Sequence, residues 1–207
     1  MCALASSDMP GHRVLHDRVT NALDTCVETQ GVDFKQSAPW AALQYKLAKT
    51  AMAMGNLRDG GVVVIGVSDH GASWNLTGIT QADLATYDVD VVVDAINRYA
   101  SPPITVNLVT VEYDGKMFLA LEVREFPDTP FVCKKDGPPQ SGLERGMICV
   151  RPPGVAQTTR VRSADDLHDL LELAAEKRAR AFIEMAHRVG FSAGAPAKPF
   201  DDELGGL

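Results

Sequence analysis

The spacing of hydrophobic positions changes several times in the first part of the chain, and each change predicts a new element. Over residues 12–25 apolar side chains recur every three or four positions, as in an amphipathic helix. Residues 29–35 alternate in polarity, which predicts a strand, and a second helix has Pro39 near its first turn. Residues 62–67 are apolar throughout, which indicates a central strand covered on both faces, and residues 68–78 are predicted to be a loop.

The middle of the chain predicts a third helix and a β-hairpin. The helix covers residues 82–99 and ends at the run Ser101-Pro102-Pro103. Residues 104–113 and 116–124 then alternate in polarity. They flank Asp114-Gly115, a pair that readily adopts the positive φ angles of a tight turn.

The last third predicts a loop, short strands and a long helix. Residues 126–142 are rich in Pro, Gly and Lys, which predicts a surface loop with one short strand near residues 131–133. Strands at 147–151 and 158–161 precede Ser163, which caps a helix that runs to about residue 188. This order of elements predicts an α+β fold, a mixed β-sheet with flanking helices.

Composition divides the chain into one domain with two tails. With 207 residues, 45% hydrophobic and 23% charged, it has the balance of an ordinary globular protein, which excludes a fibrous or wholly disordered chain. Residues 1–11 and the Gly-, Ala- and Pro-rich segment 190–207 are predicted to be flexible around a single domain at residues 12–189. No apolar run is long enough to cross a membrane, so we expect a cytoplasmic protein.

Charge is distributed unevenly along the chain. The net charge of −7 excludes a basic nucleic-acid coat protein. Between residues 130 and 162, however, the local net charge is +4, which predicts a phosphate-contacting strip; the alternative is a solvated hairpin surface. The cations of this strip are Lys134, Lys135, Arg145, Arg151, Arg160 and Arg162.

Three carboxylates stand at or beside the ends of the predicted core strands. Glu28 precedes the first strand, Asp33 lies on it, and Asp69 follows the central strand. If the two strands are neighbours, these side chains converge and require protonation or a divalent cation such as Mg²⁺ or Mn²⁺. Lys35, on the same strand face as Asp33, would offset phosphoryl charge. The alternative is that all four are solvated surface charges.

A series of short motifs resembles the Schlafen-type AlbA-like domain over about residues 25–175. The pattern is an acid, a second acid followed by Phe-Lys, a helix that ends in Asn, a Gly-Gly pair, and an Ile-Gly-Val strand that ends in an acid. It corresponds here to Glu28, Asp33-Phe34-Lys35, Lys49 to Asn56, Gly60-Gly61, Ile65 to Asp69, and finally Arg145 to Arg151.

The resemblance implies a nucleic-acid-binding fold and, in the Schlafen branch, a metal-dependent endoribonuclease that acts on structured RNA such as tRNA. The three acids of that site correspond to Glu28, Asp33 and Asp69, which would hold Mg²⁺ or Mn²⁺, and the family lysine corresponds to Lys35. One departure is Asp at position 33, where Glu is usual. No ATP site is supported, because the chain has no Gly-x-x-x-x-Gly-Lys-Ser/Thr loop.

Three functions are therefore open. The first is a metal-dependent endoribonuclease that works as a homodimer, with residues 167–175 or the central hairpin as its interface. The second is a non-catalytic DNA- or RNA-binding regulatory module that uses the basic strip. The third is a toxin or phage-defence component that needs a partner.

Overall fold

The computed structural model describes residues 10–71 and 73–190, with side chains from residue 14 onward. The predicted flexible segments 1–11 and 190–207 lie almost entirely outside these residues. No helix of the described part has the length and apolar character needed to span a membrane. The elements are α1 (Pro10–Thr25), β1 (Val32–Lys35), α2 (Trp40–Gly55), β2 (Gly61–Ile65), β3 (Val67–Asp69), β4 (Trp74–Leu76), α3 (Gln81–Leu84), α4 (Val89–Asn97), β5 (Ala100–Ser101), β6 (Val106–Tyr113), β7 (Lys116–Val123), β8 (Val132–Cys133), β9 (Cys149–Val150), β10 (Thr159–Arg160) and α5 (Ala164–Arg188).

A four-stranded mixed sheet organises the fold, in the order β1-β2-β7-β6. β1 runs parallel to β2, whereas β7 is antiparallel to both of its neighbours. Three two-stranded ribbons surround the sheet: β3 with β4, β5 with β8, and β9 with β10. This arrangement confirms the predicted α+β class, a mixed sheet with flanking helices.

The two faces of the sheet carry separate cores because strand side chains alternate between faces. Val62, Val64 and Phe34 pack with the apolar stripe of α1. Val63 and Ile65 pack on the opposite face with α2, α4 and α5. Since position 33 pairs with position 63 in the parallel ladder, β1 directs its acidic residue to the α2 side at the edge of the sheet.

The predicted central strand divides at Gly66, and the predicted loop 68–78 contains the β3–β4 hairpin. Gly66 has φ = 118°, and a Cβ placed on it would lie 2.7 Å from the carbonyl carbon of Gly78. The Gly66 carbonyl accepts hydrogen bonds from the amides of Thr77 and Gly78. Strands of three residues are too short for alternation to reveal them, so the pattern predicted a loop.

The predicted helix over 82–99 is two helices, α3 and α4. The carboxylate of Asp88 accepts a hydrogen bond from the amide of Val91 (3.0 Å) and so starts a new helix within the apolar pattern. Other local predictions are confirmed. The hairpin turns at Asp114 and Gly115 with φ angles of 49° and 68°, and the Ser163 hydroxyl caps α5.

Replacing Gly66 with Ala is expected to lower the free energy of unfolding by about 2–4 kcal/mol, because both the positive φ and the close backbone oppose a Cβ. Gly71 is the matched control: its φ is 81°, but a Cβ there meets no atom within 4 Å, so Gly71→Ala should cost about 1 kcal/mol. Urea unfolding measures both values. Equal costs would contradict this account of the strand break.

Candidate functional site

A buried ion pair joins the first strand to the end of β9. Asp33 is 5% exposed and Arg151 is 2% exposed. One guanidinium nitrogen of Arg151 donates to Oδ1 of Asp33 at 3.1 Å. The ammonium of Lys35 forms an ion pair with the other carboxylate oxygen, Oδ2. This oxygen accepts no hydrogen bond within the described residues, so the contact is purely ionic. Asp33 is therefore paired with two cationic side chains, Lys35 and Arg151.

Arg151 makes further hydrogen bonds that hold the chain around it. Its second terminal nitrogen donates to the carbonyls of Thr29 (3.0 Å) and Val32 (3.3 Å). Its own carbonyl accepts from the Gln30 side chain at 2.7 Å. One sequence prediction is therefore wrong. Arg151 does not belong to the surface strip, because its guanidinium is buried and its terminal nitrogens donate to groups inside the protein.

Glu28 lies beside this pair. Its Oε1 accepts a hydrogen bond from the amide of Phe34 at 2.7 Å. Burial raises the pKa of Glu28, and the negative charge of Asp33 adds to the rise. The Phe34 amide and the cations of Lys35 and Arg151 oppose it without cancelling it. The structure thus brings two of the three predicted carboxylates together with the predicted lysine.

Asp69 lies apart from them, at the end of β3. Its side chain is exposed, and Oδ1 accepts a hydrogen bond from the Gly71 amide at 2.6 Å. It pairs across the hairpin with Trp74, whose ring packs edge-on against Phe34 with centroids 5.2 Å apart. The hairpin therefore packs against β1, but within the described residues Asp69 does not complete a three-carboxylate cluster with Glu28 and Asp33.

The predicted Mg²⁺ or Mn²⁺ site does not fit this arrangement of donors. In residues 10–71 and 73–190, no group of three or more His, Cys, Asp or Glu side chains is placed to hold a metal ion. Lys35 and Arg151 already neutralise Asp33, and a divalent cation there would compete with both. The three-carboxylate metal site stays a prediction.

The exposed cations of the predicted strip border two adjoining grooves beside the β9–β10 ribbon. One groove has a volume of about 420 Å³, the other about 340 Å³, and Glu144, Met147 and Arg160 line both. Glu144 also forms an exposed ion pair with Arg160 at 3.5 Å. We call this surface the basic groove, and its cations are Lys49, Arg145, Arg160 and Arg162.

The two remaining lysines of the strip lie on the loop that follows β8. Lys134 and Lys135 are both exposed. The ammonium of Lys135 lies 5.3 Å from the centroid of the Tyr99 ring. The same loop is tied to Arg145, whose amide donates to the Asp136 carboxylate at 2.8 Å. These lysines flank the basic groove.

Two residues that shape this site appeared in the sequence analysis only as the ends of a family motif, with no role assigned to either. Lys49 lies on α2 between buried neighbours, and a lone cation on an apolar helix face was the available signal. Asn56 is buried at the end of α2, where its amide bonds the backbone of Phe131 (2.7 and 3.0 Å) and the carbonyl of Cys149 (3.0 Å). Asn56 thereby connects α2 to both β8 and β9.

Together these features define an α+β domain with a buried, charge-neutralised acidic site at one sheet edge and an exposed basic groove beside it. The sequence matches the family model described as Schlafen, AlbA_2 over residues 28–151. This match covers more than half of the chain, so the chain belongs to that family, as the motifs predicted. It spans Glu28 to Arg151 and leaves α5 outside.

Two solved structures are similar at low identity. The DIP2311 protein from Corynebacterium diphtheriae matches at 18% identity and a TM-score of 0.49, over 73% of this chain and 27% of that one. The N-terminal domain of a protein from Nitrosomonas europaea named as related to the ATP-dependent DNA helicase RecG matches at 21% identity and a TM-score of 0.41, over 61% of this chain and 86% of that one. This chain thus corresponds to about a quarter of the first structure's length. At these values neither structure informs its function. No curated protein matches the sequence.

The substitution Arg151→Met is expected to lower the free energy of unfolding by about 3–5 kcal/mol, because it leaves the buried Asp33 carboxylate without its guanidinium partner. The control is Arg160→Met, which breaks an exposed ion pair and should cost less than about 1 kcal/mol. Chemical denaturation measures both free energies of unfolding. A cost for Arg151→Met as small as the control's would show that the pair is not structural.

The raised pKa of Glu28 predicts a pH-dependent difference between the wild type and Glu28→Gln. A raised pKa means that the folded state binds this proton more tightly than the unfolded state does, so the contribution is present at acidic pH and lost as pH rises through the folded-state pKa. Gln can still accept from the Phe34 amide but does not titrate.

We therefore expect the stability of Glu28→Gln relative to the wild type to increase from acidic to neutral pH. The free energies of unfolding of both proteins, determined across this pH range, give the difference. Groups that titrate alike in the two proteins contribute equally to both free energies and drop out of it. A difference that is constant with pH, or one that falls as pH rises, would contradict the assignment.

Proposed function

We propose that this domain binds nucleic acid through the basic groove. The observation that carries the proposal is the concentration of four cations, Lys49, Arg145, Arg160 and Arg162, around two adjoining grooves whose described lining contains one carboxylate, that of Glu144. Phosphate backbones are bound mainly by such Lys and Arg groups. Membership of the Schlafen AlbA_2 family supports the same class of function.

The chain's net charge of −7 does not oppose this function at contact distance. Interactions between exposed charges separated by more than roughly 10 Å are largely screened at physiological ionic strength. A phosphate in the groove therefore responds chiefly to the cations around it. The Thr158 and Thr159 side chains on the groove wall supply hydroxyl groups that can donate to phosphate oxygens.

The buried ion pair connects the wall of the basic groove to the main sheet. The hydroxyl of Thr158 accepts a long hydrogen bond from Arg151 (3.5 Å), and Arg151 also donates to Asp33 and to the backbone before β1. Arg151 thus acts as a positioning residue for the β9–β10 ribbon, and the exposed arginines act as the ligand-binding groups.

A second candidate function is a divalent-metal-dependent endoribonuclease that cleaves tRNA-like RNA. Its support is the adjacency of Glu28, Asp33 and Lys35 at one sheet edge, within the matched part of the family. Against it stands the neutralisation of Asp33 by two cations of the protein. The DNA- or RNA-binding module needs no rearrangement of these groups.

The test is nucleic-acid binding by the variant Arg160→Gln/Arg162→Gln beside the control Arg98→Gln/Arg124→Gln, which removes the same charge from exposed positions outside the groove. Fluorescence anisotropy with a labelled RNA hairpin and a DNA duplex over a salt series gives the affinities. The groove variant is expected to bind more weakly and to reduce the slope of log K against log salt by about 2.

Equal losses in the groove variant and the control would contradict the proposal. Incubation of the same RNA with Mg²⁺ or Mn²⁺, with and without a chelator, distinguishes the two candidates. Metal-dependent cleavage that disappears in Glu28→Gln and Asp69→Asn, with binding retained, would support the endoribonuclease. Binding without cleavage under every condition would support the binding module.

A further inference from the structure

The helix α5 carries an apolar stripe that nothing in the described part of the chain covers. Its inner face ends at Ala174, the last buried residue of the helix. Beyond it, residues 178–190 are exposed apart from the half-buried Ala186. The stripe occurs at steps of three, four and seven residues and consists of Leu167, Leu171, Ala175, Phe182, Met185 and Val189.

This spacing places the stripe on one side of the helix, next to the inner face. The stripe advances 22 residues in about six turns, or about 3.7 residues per turn, which is close to the 3.6 of a straight α-helix, so its members stay on one side. The stripe is about 33 Å long at a rise of roughly 1.5 Å per residue. Phe182 is 65% exposed and Val189 is 70% exposed, which is unusual for large apolar side chains that follow a regular helical seam.

The charges of α5 are divided between its two halves. Residues 164–176 contain five acidic residues and neither Lys nor Arg, whereas residues 177–188 contain four basic residues and one acidic residue. Some of these charges are used internally, as Glu176 is by Arg58 and Lys177 by Glu125. Others form no ion pair within the described residues. These are Asp165, Asp169 and Glu172 in the first half, and Arg178 and Arg188 in the second.

We propose that α5 is the interface of a homodimer, in which the stripes of two copies pack against each other in antiparallel orientation. Charge complementarity selects both the partner and the orientation. An antiparallel pair places the acidic half of each helix beside the basic half of the other, whereas a parallel pair places like charges together. Antiparallel packing also covers the projecting second half of each helix with the first half of its partner.

The size of the stripe predicts a weak, concentration-dependent dimer. Two single helices that pack over about 33 Å bury less surface than the roughly 1,200–2,000 Å² of a standard stable interface. Ala175 lies on the seam near its centre and allows the helices to approach closely. Arg178 lies on the same side of the helix, between Ala175 and Phe182, so its long side chain must extend past the seam to place its charge at the rim. No residue of the stripe lines the basic groove, so dimerisation through α5 does not require the proposed nucleic-acid binding.

Sedimentation equilibrium of the full chain over a concentration series tests the interface. Phe182→Glu is expected to raise the dimer dissociation constant on the order of a hundredfold, because the symmetric interface contains the substitution twice. Ile183→Glu is the matched control: Ile183 is 53% exposed and lies on the same helical turn but off the stripe, so it should leave the constant unchanged. A wild type that stays monomeric throughout, or equal effects of the two variants, would overturn the proposal.

Nitroxide labels test the orientation in a background where Cys2 and Cys26 are replaced with Ser. Labels are placed singly at Ala179, near the centre of the stripe, and at His168, near its beginning, and both positions are exposed. In an antiparallel dimer, the distance between the two Ala179 labels is short, whereas the two His168 positions are separated by roughly 30 Å along the helix axis and their labels are correspondingly far apart. Equal short distances at both positions would indicate a parallel pair and overturn the proposed orientation.

Discussion

The buried ion pair between Asp33 and Arg151 is the constraint on which the rest of this structure depends. It joins residues 118 positions apart in the chain, across the edge of the main sheet. A carboxylate and a guanidinium removed from water are costly unless each is paired and hydrogen-bonded. The carbonyls of Thr29 and Val32 and the hydroxyl of Thr158 accept from the terminal nitrogens of Arg151, and these bonds fix the β9–β10 ribbon against the sheet. Within the described residues, Oδ2 of Asp33 and Nε of Arg151 have no hydrogen-bond partner, so the pair depends on its ionic contacts as well.

This constraint separates two sets of charged residues that look alike in the sequence. Asp33 forms ion pairs with both Lys35 and Arg151 at the sheet edge, so these charges serve the fold. Of the cations around the basic groove, Arg160 pairs with Glu144, and the others form no ion pair within the described residues; these are the groups that we propose to bind nucleic acid. The family motif and the proposed ligand surface are therefore neighbours, and Arg151 connects them through its bonds to Asp33 and Thr158.

Local patterns predicted most of the fold, and they failed where a distant residue decides the outcome. Hydrophobic periodicity identified α1, α2, α5 and the β6–β7 hairpin because each is long enough to repeat its pattern. It missed the three-residue strands of the β3–β4 hairpin and the new helix start at Asp88. Alternation indicates which face a side chain occupies but not what covers that face, so it could not show that Arg151 is buried against a carboxylate 118 positions away. The predicted convergence of carboxylates is realised for Glu28 and Asp33, whereas a separate hairpin carries Asp69.

Amide hydrogen exchange in Asp33→Asn, compared with the wild type under native conditions, tests the central claim most directly. If the ion pair holds the β9–β10 ribbon on the sheet, exchange should accelerate by more than about tenfold in residues 29–35 and 147–160. The β6–β7 hairpin should keep its protection, because its ladder lies at the opposite edge of the sheet. Unchanged exchange in both segments, or the same acceleration in the hairpin, would contradict the account.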